Sequence, residues 1–130
     1  IKNRAFARKL NEKRRFNMED CLFCKFANGE IPVNKVFENE DFVIIRDINP
    51  QAKNHFLAIP KKHFKYLAEM TEEDSELVGR ILKTIPALED LLELKNGYRL
   101  IINQGDDAGQ TVPHLHIHIL SGQKMGWQPA

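Results

Sequence analysis

The sequence predicts an α+β fold, a five-stranded antiparallel sheet with a short N-terminal helix and one long helix. Three patterns carry that prediction. Near the end, His114-Leu115-His116-Ile117-His118-Ile119-Leu120 alternates imidazoles with aliphatic side chains at period two, as a strand with two unlike faces does. From Thr71 onward Leu77, Val78, Ile81, Leu82, Ile85, Leu88 and Leu92 recur at helical spacing. The other apolar runs are short and separated by polar turns, which favours antiparallel pairing with the sheet covered on one face.

The elements follow in order. Asp20 is placed to cap a short helix from Cys21 to Asn28, closed by Gly29, with Leu22, Phe23 and Phe26 on one side. Val33 to Phe37 and Phe42 to Arg46 read as a hairpin around Glu38-Asn39-Glu40-Asp41, and His55 to Ile59 as a third strand stopped by Pro60. Glu72, Glu73 and Asp74 supply the acidic first turn of the long helix. Pro86 removes a backbone donor and predicts a kink or two shorter helices. Asn96-Gly97 ends the helical stretch, Tyr98 to Asn103 forms a fourth strand, and the loop Gln104 to Pro113 leads into the histidine strand.

At 130 residues and 42% hydrophobic, the chain fits one domain. Charge is uneven: residues 1–17 hold Lys2, Arg4, Arg8, Lys9, Lys13, Arg14 and Arg15 against Glu12 alone, so the remainder is net acidic. We read 1–17 as a basic leader outside the domain's chemistry and 18–130 as the domain, with Met18 a natural start. No RNA-binding aromatic motif accompanies the leader, which argues against a nucleic-acid partner. No apolar run approaches the ~18 residues of a membrane span and no secretory signal is evident. The expectation is a cytoplasmic protein without a membrane partner.

A lone histidine on a strand is ordinarily part of a polar face. Three in register, with no Lys, Glu, Thr or Ser among them, point to chemistry instead. His114, His116 and His118 share one face, expected outside, and Leu115, Ile117 and Ile119 the other, expected inside. Same-face neighbours stand about 6.5–7 Å apart, beyond ring contact and suited to a phosphate bridging two of them. A neutral imidazole is a capable nucleophile near physiological pH without a metal. Attack by the central His116 on phosphorus would give a nucleotidyl-imidazole that water resolves, with His118 neutralising charge on the equatorial oxygens. Gly105 and Gly109 let backbone approach an anion, while Asn103, Gln110 and Thr111 add side-chain donors. Asp47 reads as a surface carboxylate or as an acceptor for two ribose hydroxyls. Cys21 and Cys24 form a C-x-x-C open to a zinc half-site, a redox pair or two incidental thiols.

His-x-His-x-His with its aliphatics resembles the signature of the histidine triad superfamily. So do Asp47-Ile48-Asn49-Pro50-Gln51-Ala52, His55-Phe56-Leu57-Ala58-Ile59-Pro60-Lys61-Lys62-His63, Asn103-Gln104-Gly105 and Gly109-Gln110-Thr111-Val112, over most of 20–130. The ending with Met125, Trp127 and Pro129 is similar to the Hint branch, the purine nucleoside phosphoramidases. The resemblance implies a histidine-triad fold with His116 as nucleophile and His55, His114 and His118 completing the catalytic set. It puts Thr111 where the branch commonly has Ser near the leaving group, and phosphate contacts at Asn103, Gln110, Thr111 and Val112. It assigns ribose to Asp47 and the purine to Leu22, Phe23, Phe26, Ile45 and Ile48, each equally good as core on periodicity. Pro113 replaces an aromatic and cannot donate an N–H.

No cofactor is implied for catalysis. A structural zinc is implied at Cys21, Cys24, His63 and His114, because several bacterial relatives carry such a pair. The implied assembly is a homodimer in which Trp127 borders the partner's pocket and contacts the leaving group; Leu91, Leu94 and the face beyond Tyr98 are the apolar surface expected to drive it. The implied activity is hydrolysis of the P–N or a related bond of a purine nucleoside 5′-monophosphate conjugate. A dinucleoside polyphosphate hydrolase is the alternative enzyme, favoured less because the chain ends just past the triad. A nucleotide-binding regulator with little turnover, and a module whose histidine row holds a catalytic metal, are the other classes.

Overall fold

The computed structural model describes residues 20–127. The leader 1–17 and Pro129 lie outside the described residues. Within them, helix α1 (Leu22–Asn28) precedes strands β1 (Lys35–Glu38), β2 (Phe42–Arg46) and β3 (Asn54–Pro60). Helices α2 (Glu72–Ala87) and α3 (Glu89–Leu92) then lead to β4 (Tyr98–Ile101) and β5 (Ile117–Ser121). All neighbours in the order β1-β2-β3-β5-β4 are antiparallel, so the histidine strand pairs with both β3 and β4. Among the described residues no helix is long and apolar enough to cross a membrane.

Local chemistry accounts for the boundaries, with corrections. Cys21, not Asp20, is the N-cap of α1: its sulfur accepts the Cys24 N–H at 3.4 Å. Gly29 closes the helix with a left-handed backbone at φ 84°. Thr71 and Asp74 form a reciprocal capping box on α2. Pro86 sits in the last turn of α2, and the break comes at Leu88, after which α3 begins, so the two-helix expectation holds. Leu77, Val78, Ile81, Ile85 and Leu92 are buried as the spacing predicts, whereas Leu82 is exposed and Leu88 half-buried. Leu94 is also buried and so does not join an exposed patch; Leu91 does.

The sheet is covered on both faces, not one. Leu115, Ile117 and Ile119 join Phe42, Ile44 and Phe56 beneath α2. On the opposite face Val43, Ile45, Leu57 and Ile59 pack with Cys21, Phe23 and Ala27 of the α1 region, and this is the histidine side. The expected outward row is consequently wrong in its exposure: His114 is 0% and His116 8% exposed, and only His118 is half-buried. The strand also starts later than expected, at Ile117. Ahead of it Leu115 N–H donates to Phe64 O at 2.7 Å and His114 N–H to Val112 O at 2.8 Å, bonds that draw the backbone away from β3.

Candidate active site

His116 is held by its own neighbour. Its Nδ1–H donates to the His114 carbonyl at 2.8 Å, which leaves Nε2 unprotonated with a free lone pair. The ring stands edge-on to Phe23, with centroids 4.9 Å apart and planes at 87°. Burial lowers its pKa, while the bond to His114 partly offsets this. The product of these constraints is a neutral, oriented imidazole.

His118 follows at a ring-centroid distance of 5.1 Å, closer than an ideal flat strand allows, so the two rings are in contact rather than separated. Its other neighbour is His55 on β3, whose Nε2 lies 2.9 Å from His118 Nδ1. The proton order along this pair follows from the main chain. Gln51 N–H donates to His55 Nδ1 at 3.0 Å, so a neutral His55 carries its proton on Nε2 and gives it to His118 Nδ1. His118 in turn holds its proton on Nε2, 3.5 Å from Asn103 Nδ2, and the Asn103 carboxamide must be turned over for its oxygen to accept that proton. Burial first, then His116 and His55, push the His118 pKa down to about 4. Asp47 stands 3.5 Å from His55 Nε2, and Oδ1 accepts the Asn49 N–H at 2.8 Å. Asp47, His55, Asn103 and His118 open onto one cavity of about 220 Å³.

His114 faces elsewhere. Its Nε2–H donates to Pro60 O at 2.7 Å, which turns a bare Nδ1 toward His63 Nδ1 at 3.2 Å, Cys21 Sγ at 3.3 Å and Cys24 Sγ at 3.5 Å. Cys24 Sγ is 3.2 Å from His63 Nδ1, and buried His63 Nε2 has no partner. The ligand atoms of Cys21, Cys24, His63 and His114 all lie within 4.8 Å of one another. A proton shared with Cys24 holds the Cys21 thiol far below its usual pKa and raises that of Cys24.

Known proteins resemble this chain in sequence and fold. The family profile described as "scavenger mRNA decapping enzyme C-term binding" matches residues 20–128. An uncharacterised HIT-like protein of Synechococcus elongatus is 43% identical over 85% of this chain and 97% of its own. Protein HitA of Neisseria gonorrhoeae is 43% identical over 79% and 96% respectively. The crystal structure of a HIT family hydrolase from Legionella pneumophila superposes with TM-score 0.79 at 45% identity, covering 85% of this chain and 99% of that one. The chain belongs to the histidine triad (HIT) family. A histidine triad protein from Clostridium difficile, with TM-score 0.79 at 40% identity over 85% of this chain and 96% of its own, has the same fold.

In this HIT domain the remaining predicted residues divide. Phe23 and Ile45 are buried, Phe26 and Val112 half-buried and Leu22 exposed, while Ile48 is fully exposed beside Asp47. Gln110 spends both ends of its amide within the protein, accepting Gly105 N–H at 2.8 Å and donating to Lys65 O at 3.2 Å, so it braces the loop. Thr111 is exposed on that loop and Trp127 is 95% exposed. The sequence reading missed the groups that set the protons: the backbones of Gln51, Pro60 and His114. It also missed Lys62, which pairs with buried Asp74 and so ties the His63 turn to α2. Main-chain atoms leave no residue-type signal, so none of the first three was there to find.

Proposed function

We propose that this HIT protein hydrolyses purine nucleoside 5′-monophosphate conjugates at the α-phosphorus through a covalent His116 intermediate. The observation that carries the reading is the Nδ1–H bond from His116 to the His114 carbonyl, because it presents Nε2 as the nucleophilic atom. Nε2 attacks phosphorus, the P–N bond breaks, and the departing amine takes up one proton. Water then displaces the imidazole, releasing the monophosphate and returning His116 to its neutral form. His118 presents Nε2–H as a donor to phosphoryl oxygens, fixed in that tautomer by His55. Asp47, lining the same cavity, is the carboxylate available to accept ribose hydroxyls. The test is intact-protein mass spectrometry after a brief pulse of an adenosine phosphoramidate. A nucleotidyl mass increase that decays on standing is expected; AMP binding with no adduct and no released amine rejects the reading in favour of a nucleotide-binding regulator.

The proposal includes a structural zinc at Cys21, Cys24, His63 and His114. A tetrahedral zinc with Zn–S near 2.3 Å and Zn–N near 2.0–2.1 Å needs ligand edges of roughly 3.3–3.8 Å. The separations of 3.2 to 3.5 Å found here fit that set. When bound, it supplies a crosslink between α1, the His63 turn and the His114 segment. The catalytic groups act without it.

It also includes a C2 homodimer. β4 is a sheet edge that exposes Tyr98 and Leu100, and Leu91 and Trp127 add uncovered apolar surface. Edge-to-edge pairing of β4 would cover the first two and bring each Trp127 toward the partner's cavity.

A further inference from the structure

A second cavity lies on the other side of the sheet from His116. It measures about 470 Å³ and sits where the start of β3, the end of β5 and the turn after α3 meet. Asn54 precedes His55 on β3 and pairs in register with Ser121, so its side chain belongs to the α2 face of the sheet. Asn54 is 93% buried (7% exposed), lines the cavity, and its carboxamide has no hydrogen-bond partner among the described residues. A buried amide carries two donors and an acceptor whose desolvation must be offset. The Asn54 amide atoms are not among the fully enclosed polar groups, so they reach the cavity and can bond to whatever fills it.

The surrounding wall is built for a small polar molecule. Lys53, Lys124 and Glu93 are among its lining residues, all three exposed and without an ion-pair partner among the described residues. No aromatic or aliphatic residue is among its lining groups. Gln123 Oε1 accepts the Lys53 N–H at 2.7 Å, and this bond fixes the rim. Two glycine-like positions shape the interior. Gly122 stands where a Cβ would come within 2.6 Å of Asn54 Nδ2, so it keeps room for the amide. Glu93 adopts φ 57° at the end of α3, the only positive-φ residue besides glycines among the described residues. A glycine would be easier there, and a carboxylate is kept instead.

We propose that this cavity is a second binding site, for a small zwitterion with one carboxylate and one ammonium group, of which an α-amino acid is the simplest. The carboxylate is met by Lys53 and Lys124, the ammonium by Glu93, and the Asn54 amide bonds to the ligand between them. A phosphate alone would meet the lysines but be repelled by Glu93. An amine alone would be repelled by the lysines. The site does not depend on the proposed hydrolase activity, since none of its residues faces His116.

The experiment is a titration of the full 130-residue chain, followed by amide NMR, with L-alanine, acetate, methylammonium and inorganic phosphate as separate probes. L-alanine should give saturable shifts at Asn54, including its side-chain amide, and at Gly97 and Gly122, with acetate and methylammonium weaker by about tenfold or more. Glu93→Gly removes the carboxylate and relieves the positive φ, so the variant should fold at least as well yet bind L-alanine about tenfold more weakly. Lys124→Ala should weaken L-alanine and acetate together. No saturable shift at these residues would overturn the proposal, as would phosphate binding equal to L-alanine, or L-alanine binding unchanged in Glu93→Gly.

Discussion

Two clusters of histidines flank His116, and they differ in where their protons are. On one side His114 is anchored through Nε2–H to Pro60 O, and its bare Nδ1 meets His63 Nδ1 and two sulfurs. On the other side His55 receives a backbone N–H at Nδ1 and so points a proton from Nε2 at His118. Both sets, the second with Asp47, crowd their ligand atoms within 4.8 Å. Proximity does not distinguish them; tautomers do. Imidazole lone pairs and thiols that converge on one point suit a cation, whereas a proton-ordered pair suits hydrogen bonding to a substrate and leaves His55 no free lone pair for a metal. Between them, His116 takes its orientation from the first cluster, through the His114 carbonyl, and its donors from the second.

The largest effect should come from the residue both clusters serve. His116→Ala should abolish the covalent adduct and lower turnover by roughly 10⁴-fold or more while AMP still binds, measured by mass spectrometry and calorimetry. An alanine variant that still labels would remove His116 from the centre of the comparison.

The next pair of variants tests the clusters against each other. Cys24→Ser should lose bound zinc and melt about 5–10 °C lower, the shift expected for a few kcal/mol in a domain of this size. His55→Gln should keep about one zinc per chain and most of its melting temperature, yet lose activity by roughly 10–100-fold. Metal analysis and thermal melts of the two proteins side by side decide this. Zinc loss in His55→Gln, or none in Cys24→Ser, would collapse the distinction.

The proton-ordered cluster also sets a pH dependence. His118 has a folded pKa of about 4, below the ordinary value near 6.5, so between these values the unfolded chain binds more protons than the folded one. Its contribution to stability is therefore present above pH 6.5 and is lost as pH falls toward 4. The acid limb of kcat/KM should likewise lie below 6.5. Replacing His118 with Gln should flatten the fall in melting temperature across that window; an unchanged slope would contradict the assignment.

Smaller effects belong to the cavity rim. Asp47→Ala should weaken ribonucleotides by about 1–3 kcal/mol, the range for hydrogen bonds to a charged group, and deoxyribonucleotides much less. Equal losses would make Asp47 a partner of Asn49 and His55 only. Trp127→Ala should leave AMP affinity unaltered and change the ranking of leaving groups, with sedimentation showing a dimer in both proteins. A monomer at micromolar concentration would leave Trp127 without a partner's pocket to border.

Much of this was legible in the residues. The strand Phe42–Arg46 was read with its observed bounds, and the period-two and period-3.6 stretches became β5 and α2. Asn54 to Pro60 ran one residue further at each end, because Pro60 closes the strand as its last member, lying opposite Phe42 in register. The exposure of the histidines was not legible. Alternation gives two faces but not what covers them, and α1 packs Phe23 on the face that looked polar. The burial of Leu94 was not legible for the same reason: it depends on segments distant along the chain.

Sequence by itself determined that the three triad histidines alternate with core residues, because side-chain direction along an extended backbone is a local property. Tertiary structure alone decided which nitrogen of His114 holds the proton, because the Pro60 carbonyl that accepts it lies 54 residues away along the chain. His116 and His55 are set more locally, by main-chain atoms two and four residues off, and His118 takes its proton order from His55 across the sheet. Five histidines of one residue type thus divide into one ring held at Nδ1 by the main chain, a hydrogen-bonded pair and two whose Nδ1 atoms face the thiol pair.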